Sequence, residues 1–243
     1  MKTKTQQWYA SWFNTPYYYL LYKDRGYDEA QSFMEKLTDF LDLDKNSHIL
    51  DLACGKGRHS IYLNRIGYEV TGLDLSEESI LYAKQFENDR LHFDIHDMSR
   101  PYSYQFDAVL NLFTSFGYFD DESDNLNTIK AIKSDLKASG MAVIDFMNVR
   151  HVISNLVPAD TKTIDGITFN MSRYLDNDHI IKDISFEDKG TSFNYQERVK
   201  AFSLSDFKMM FKEAEVELLH IFGDYNLNPF NENTSERLIM IFR

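Results

Sequence analysis

The chain has 243 residues, 43% apolar and 26% charged, with 26 Lys and Arg against 38 Asp and Glu for a formal charge of −12. This composition suits one sizeable domain with or without an insert and excludes a disordered chain; no apolar run approaches the roughly 18 residues of a membrane span. The acidity is spread along the chain, without a run of Lys or Arg to displace counterions from nucleic acid, while a lone cysteine, Cys54, and a start without a signal-peptide pattern point to the cytoplasm.

The first segment is aromatic: Trp8, Tyr9, Trp12, Phe13, Tyr17, Tyr18, Tyr19, Tyr22 and Tyr27. Two readings stand together, a helix packed by its aromatic faces and a lid whose rings would stabilise a cationic group. From Asp28 to Leu43 apolar residues recur at three- and four-residue spacing, which predicts an amphipathic helix. His48 to Leu52 reads as a short strand ending in a glycine-bearing turn, with a helix over 58–65. Glu69 to Leu73 reads as a second strand, and Ser76 as the cap of the next helix, with Glu77 and Glu78 at its positive end. Strands follow at Leu91 to Ile95, Phe106 to Leu112 and Met141 to Asp145, with a helix at Asn125 to Leu136. Strands alternating with helices at this spacing predict an α/β fold with a mostly parallel sheet covered on both faces.

Residues 163–202 depart from that rhythm. They hold three extended runs with turn signals at Asn177-Asp178 and Asp188-Lys189-Gly190, which predicts a small antiparallel β insert. Ser203-Leu-Ser-Asp206 then offers a capping box for a helix. Val216 to Phe222 and Arg237 to Phe242 close the chain as two strands joined by a short polar loop, so they pair antiparallel.

Chemistry concentrates at the strand ends. Ile49-Leu-Asp-Leu-Ala-Cys-Gly-Lys-Gly is a strand feeding a turn in which glycines let backbone approach a ligand. Asp51, inside that strand, needs hydrogen-bond donors if buried, from loop amides or from an ammonium group on a ligand. Asp74 ends the second strand, where its carboxylate can accept from ribose hydroxyls. Asp97 follows the third and can accept from an adenine amino group. A dinucleotide site would place Gly or Ala where this chain has Ser60, and the only Tyr-x-x-x-Lys spacing, Tyr19 to Lys23, precedes the first strand. The seven histidines show no metal-binding spacing, so no metal is assigned.

Asp51-Leu-Ala-Cys-Gly-Lys-Gly57, Asp74, Asp97-Met98 and Phe106-Asp-Ala-Val-Leu-Asn111 together resemble the ordered motifs of class I S-adenosylmethionine-dependent methyltransferases, and Ser235-Glu-Arg-Leu-Ile-Met-Ile241 is similar to that family's final strand. The resemblance implies a Rossmann-like seven-stranded sheet with an antiparallel last strand. It implies S-adenosyl-L-methionine as cofactor, with Ala53, Gly55 and Gly57 beside its methionine part and Asp74 on the ribose. Leu75, Asp97 and Met98 would take the adenine, and Asn111 and Phe113 would border the transferring methyl. The aromatic start is similar to the N-terminal lid of small-molecule methyltransferases, which would bring Tyr17, Tyr22 and Arg25 near the cofactor. Residues 1–45 then form the lid, 46–150 with 203–243 the cofactor domain, and 151–202 a roof for the acceptor. Asn111-Leu-Phe-Thr stands where DNA amine methyltransferases carry Pro-Pro-Tyr, which agrees with the absence of a basic surface.

The expected reaction moves a methyl group to a nitrogen or oxygen atom of a small molecule, by a monomer or homodimer. No residue is assigned as catalyst: His59, His96, His151 and Tyr118 are the candidate bases, each more readily a satisfied structural residue. Two other readings stay open, an NAD(P)-dependent oxidoreductase and a non-catalytic sensor of the cofactor.

Overall fold

In the computed structural model, which describes residues 12–23, 27–119 and 121–243, the strands form two sheets. The larger contains β1 (His48–Leu52), β2 (Glu69–Asp74), β3 (Leu91–Ile95), β4 (Phe106–Asn111), β5 (Leu136–Met147), β10 (Leu218–Phe222) and β11 (Arg237–Phe242). Their order is β10-β11-β5-β4-β1-β2-β3, and β11 alone runs against its neighbours. The predicted α/β class and closing antiparallel hairpin are therefore present.

The helices are α1 (Pro16–Leu21), α2 (Tyr27–Phe40), α3 (Arg58–Arg65), α4 (Glu77–Ala83), α5 (Glu122–Asp135), α6 (Val149–Ser154) and α7 (Leu204–Glu213). Alternation along each buried strand sends successive side chains to opposite faces. On β11, Ile239 and Ile241 join a core with Phe33 and Leu37 of α2 and Leu63 of α3, while Leu238, Met240 and Phe242 join a second with Ile129 and Ile132 of α5 and Phe207 and Phe211 of α7. Covered on both faces, the sheet leaves its carboxyl-end rim free for chemistry. Ser76 caps α4 through the Ser79 amide, and Ser203 with Asp206 forms the full capping box of α7.

The insert holds four strands rather than three: β6 (Ala159–Ile164), β7 (Ile167–Asp176), β8 (His179–Asp188) and β9 (Thr191–Lys200), a simple meander. The added strand comes from the Asp165-Gly166 hairpin, whose φ values of 49° and 83° give the primed turn that suits strand twist. This sheet has its own core of Ile164, Phe169, Met171, Ile184 and Phe186, completed by Trp12 and Leu21 from the aromatic start. Burying such side chains contributes roughly 1.5–3 kcal/mol each, so residues 12–22 pack as part of the insert. Phe13, Tyr18, Tyr19 and Tyr22 of the same segment also line the cleft at the carboxyl rim. Trp8, Tyr9 and Arg25 lie outside the described residues.

Candidate active site

The turn after β1 is built on left-handed backbone. Ala53, Gly55 and Gly57 have φ of 64°, 56° and 77°, and the Cys54 amide donates to the Leu73 carbonyl, tying the turn to β2. A Cβ on Gly55 would meet nothing within 4 Å, whereas one on Gly57 would lie 2.5 Å from the Phe93 ring. Gly55 thus leaves open space above the rim, and Gly57 serves packing under the turn.

The three carboxylates expected along the rim share it, because β1, β2 and β3 are adjacent and parallel. All three line one cleft of about 1420 Å³. Pockets for drug-sized ligands span roughly 300–1,000 Å³, so this cleft has room for more than one small molecule. Asp74 accepts from the Gly55 amide through Oδ2 and from the Ser76 amide through Oδ1, both at 2.8 Å. It therefore ties the glycine turn to the turn after β2. Burial pushes its carboxyl above the usual range, against those amides. Asp51 accepts from the Ser60 hydroxyl at 2.5 Å, and burial raises its pKa to about 6. The donor that the sequence left open is thus Ser60, the residue that argued against a dinucleotide site. Asp97 accepts from the Ser99 amide and hydroxyl, at 3.0 and 2.8 Å.

Of the other expected residues, Ala53, Gly55, Leu75, Met98, Phe113 and Tyr22 also line the cleft. Four do not, each for a local reason. Gly57 is turned toward Phe93. Asn111 is fully buried and donates to the Leu52 carbonyl at 3.1 Å, holding β4 to the end of β1. Tyr17 faces the insert, donating to Asp188 at 2.9 Å between Phe186 and Phe193. His151 lies on α6, which follows the carboxyl end of β5, and does not line the cleft.

The candidate bases that reach the cleft are engaged. His59 Nε2 accepts from Arg58 Nε at 3.1 Å, its ring stacks on Phe113 with centroids 4.5 Å apart, and burial lowers its pKa to about 3. Tyr118 donates to the Thr114 carbonyl at 2.6 Å, and His96 Nε2 lies 2.8 Å from the Arg100 carbonyl.

A fourth strand-end carboxylate escaped the sequence reading. Asp145, on β5, is fully buried and accepts from Arg237 Nε at 2.8 Å, the Phe113 amide at 2.8 Å and the Tyr225 hydroxyl at 3.3 Å. Arg237 Nη2 reaches both Asp145, at 2.7 Å, and Thr114 Oγ1, at 2.9 Å. Phe113 and Thr114 hold φ of 57° and 61°, which costs roughly 1–2 kcal/mol for each non-glycine residue. Asp145 offsets that strain by taking both their amides, one with its side chain and one with its carbonyl.

The insert is also polar at its seam. Glu197 of β9 lines the cleft and accepts from Trp12 Nε1 at 2.8 Å and the Tyr22 hydroxyl at 2.6 Å. Tyr19 reaches Ser79 at 3.1 Å and takes the Lys56 ammonium over its ring at 3.4 Å. Among the described residues no group of three or more His, Cys, Asp or Glu is arranged to hold a metal ion, and no helix is long and apolar enough to cross a membrane.

Residues 49–140 match the family model described as a methyltransferase domain. The protein YqeM of Bacillus subtilis (strain 168) is 28% identical over 215 residues, covering 82% of this chain and 87% of that protein. A glycine/sarcosine N-methyltransferase of Aphanothece halophytica is 27% identical over 218 residues, covering 86% and 76%. In three dimensions the chain resembles an S-adenosylmethionine-dependent methyltransferase from Clostridium acetobutylicum ATCC 824, with a TM-score of 0.78 at 21% identity over 93% of this chain and 95% of that one. Strand order, the carboxylate-lined rim and the domain match agree: residues 49–140 carry a methyltransferase domain, on the fold of class I S-adenosylmethionine-dependent methyltransferases.

Proposed function

We propose that this chain binds S-adenosylmethionine along the β1–β3 rim and transfers its methyl group to an amine nitrogen of a small molecule. The open space over Gly55, flanked by Asp51, Asp74 and Asp97, is the observation that carries the cofactor assignment. The residues present fit the group: Asp74 would accept from ribose hydroxyls, Asp97 from the adenine amino group, and Leu75 and Met98 would flank the ring. Ala53 and Gly55 would offer backbone to the methionine part. Bound there, S-adenosylmethionine supplies an electrophilic methyl group on a cationic sulfur.

The chain's own contribution is alignment and enclosure. Phe13, Tyr18, Tyr19 and Tyr118 wall the cleft. Holding two reactants in attack geometry reaches effective molarities of roughly 10⁵ M or more. Nitrogen is favoured over oxygen because the bases that reach the cleft are committed: His59 is already bonded to Arg58, and Tyr118 donates to Thr114. An oxygen acceptor needs a base beside it, whereas an amine needs only to arrive deprotonated.

Calorimetric titration with S-adenosylmethionine, its demethylated product and NAD, followed by deuterated-methyl transfer into a metabolite extract, tests this. The expected outcome is binding of the first two ligands, with a labelled small amine. Binding of NAD alone refutes the cofactor assignment, and binding without labelling makes the protein a sensor. The rate should rise with pH along the acceptor's own ammonium titration, and His59→Gln should leave that midpoint in place; a midpoint that moves with His59 makes the histidine the base.

A further inference from the structure

The hydrogen-bond inventory beside Phe113 is unbalanced. Asp145 spends its carboxylate on Arg237, the Phe113 amide and the Tyr225 hydroxyl. Thr114 Oγ1 accepts from Arg237 Nη2, and its carbonyl accepts from Tyr118. What remains is donors: among the described residues, Arg237 Nη1 and the Thr114 hydroxyl hydrogen have no acceptor. Both residues line the cleft, with the Arg237 side chain 18% exposed to it. Donors that the protein leaves unpaired at the wall of a cleft are available to a ligand bound there.

Position says which ligand. Strands lie about 4.8 Å apart, and three strand intervals separate β1, which carries the glycine turn, from β11, which begins at Arg237. That is roughly 14 Å along the rim, beyond the glycine turn on the side away from Asp74 and Asp97. The consecutive left-handed residues Phe113 and Thr114 sit between the two ends, and Asp145 holds them there. Backbone kept in that conformation by a buried carboxylate is the kind of strain that functional sites store.

We infer that Arg237 Nη1 and the Thr114 hydroxyl form the acceptor's anion subsite, which takes a carboxylate or a phosphate ester and so orients its amine toward the cofactor. Asp145 is the positioning residue: it holds the guanidinium by Nε and Nη2 and leaves Nη1 to the ligand. A guanidinium edge with a neighbouring hydroxyl matches an oxyanion far better than a neutral group of the same shape. The acceptor class that follows is a small molecule carrying both an amine and an anionic oxygen group; this clause rests on the methyl-transfer reading, while the anion subsite does not.

The test titrates acetate, methyl phosphate and neutral acetamide by calorimetry and NMR, each with and without S-adenosylhomocysteine. One of the two anions should bind at least roughly tenfold more tightly than acetamide, since charged hydrogen bonds are the stronger kind; which one identifies the group. The paired variant Arg237→Gln with Asp145→Asn removes both charges at once, so no buried charge is stranded, and it should abolish the preference while leaving S-adenosylhomocysteine affinity within about twofold. Arg237→Lys, which keeps the charge but not the fork, should retain only part of the preference. Equal binding of all three probes, or a preference that survives the paired variant, overturns the inference. So does a paired variant that loses S-adenosylhomocysteine, because the guanidinium would then belong to the cofactor's own carboxylate. Failure of the wild type to bind S-adenosylhomocysteine refutes the methyl-transfer reading instead, and the titrations without it still decide the subsite.

Discussion

Replacing Gly55 and Gly57 separately by Ala tests whether the turn after β1 divides its work between a ligand and the core. Both have positive φ, so each variant pays roughly 1–2 kcal/mol for left-handed alanine. They differ in what the new Cβ meets. At Gly57 it lies 2.5 Å from two atoms of the Phe93 ring, which is 2% exposed and is itself crowded against Gly72. Overpacking a core in this way costs typically about 1–3 kcal/mol more, for a total near 2–5 kcal/mol. With about 2–4 °C of melting temperature per kcal/mol in a chain of this size, Gly57→Ala should melt roughly 4–20 °C lower and Gly55→Ala roughly 2–8 °C lower. Binding should reverse the order. The Gly55 Cβ meets no protein atom and intrudes only where a ligand would lie, so S-adenosylhomocysteine affinity should fall by about fivefold to 150-fold, taking the same overpacking range at 1.4 kcal/mol per tenfold. Gly57→Ala, titrated where it is folded, should bind within a few-fold of wild type. Thermal melts and calorimetry on both variants decide it. If Gly55→Ala binds as tightly as wild type, the cofactor does not approach backbone there and the placement of its methionine part fails.

Two further perturbations bear on the same architecture. Raising the Asp51 carboxyl from 3.8 to about 6 costs the folded state on the order of 3 kcal/mol when the group is ionised. That stability is present below pH 4 and lost as pH rises through about 6, so Asp51→Asn should stabilise the protein at pH 7.5 and have little effect at pH 4; equal effects in urea unfolding at both pH values would remove the buried-charge account. Glu197→Gln weakens the charged acceptor shared by Trp12 and Tyr22, a loss of about 1–3 kcal/mol across the two bonds, and should speed exchange of the Trp12 indole proton while leaving melting of the larger sheet almost unchanged. Unaltered indole exchange would mean that ring packing alone holds the aromatic segment to the insert.

What the sequence made legible was local. Periodicity marks β1 to β4 and the helices between them, and in a parallel sheet each strand end falls on the same rim, so Asp51, Asp74 and Asp97 could be brought together from their places in three short motifs. The hidden parts depend on partners far along the chain. Gly57 reads like Gly55 until Phe93 is seen beneath it, and Tyr17 reads like Tyr22 until its bond to Asp188 turns it to the insert. The fourth strand of the insert was missed although Asp165-Gly166 is a strong hairpin signal, because its outer residues are exposed and polar and lack strand-like alternation.

Arg237 was nonetheless within reach of the sequence. A parallel strand delivers its last residue to the functional rim, and an antiparallel strand in the same sheet delivers its first. Once the closing hairpin made the final strand antiparallel to β5, its opening residue had to stand beside the carboxyl end of β5, and the register confirms it: Arg237 pairs with Met147 and Ile239 with Asp145. An arginine at that place, beside an acid two residues from the end of a buried strand, is an ion pair dictated by topology rather than by any local motif. The general consequence is that in sheets of this order the functional rim should be read twice, from the ends of the parallel strands and from the beginning of the one that opposes them.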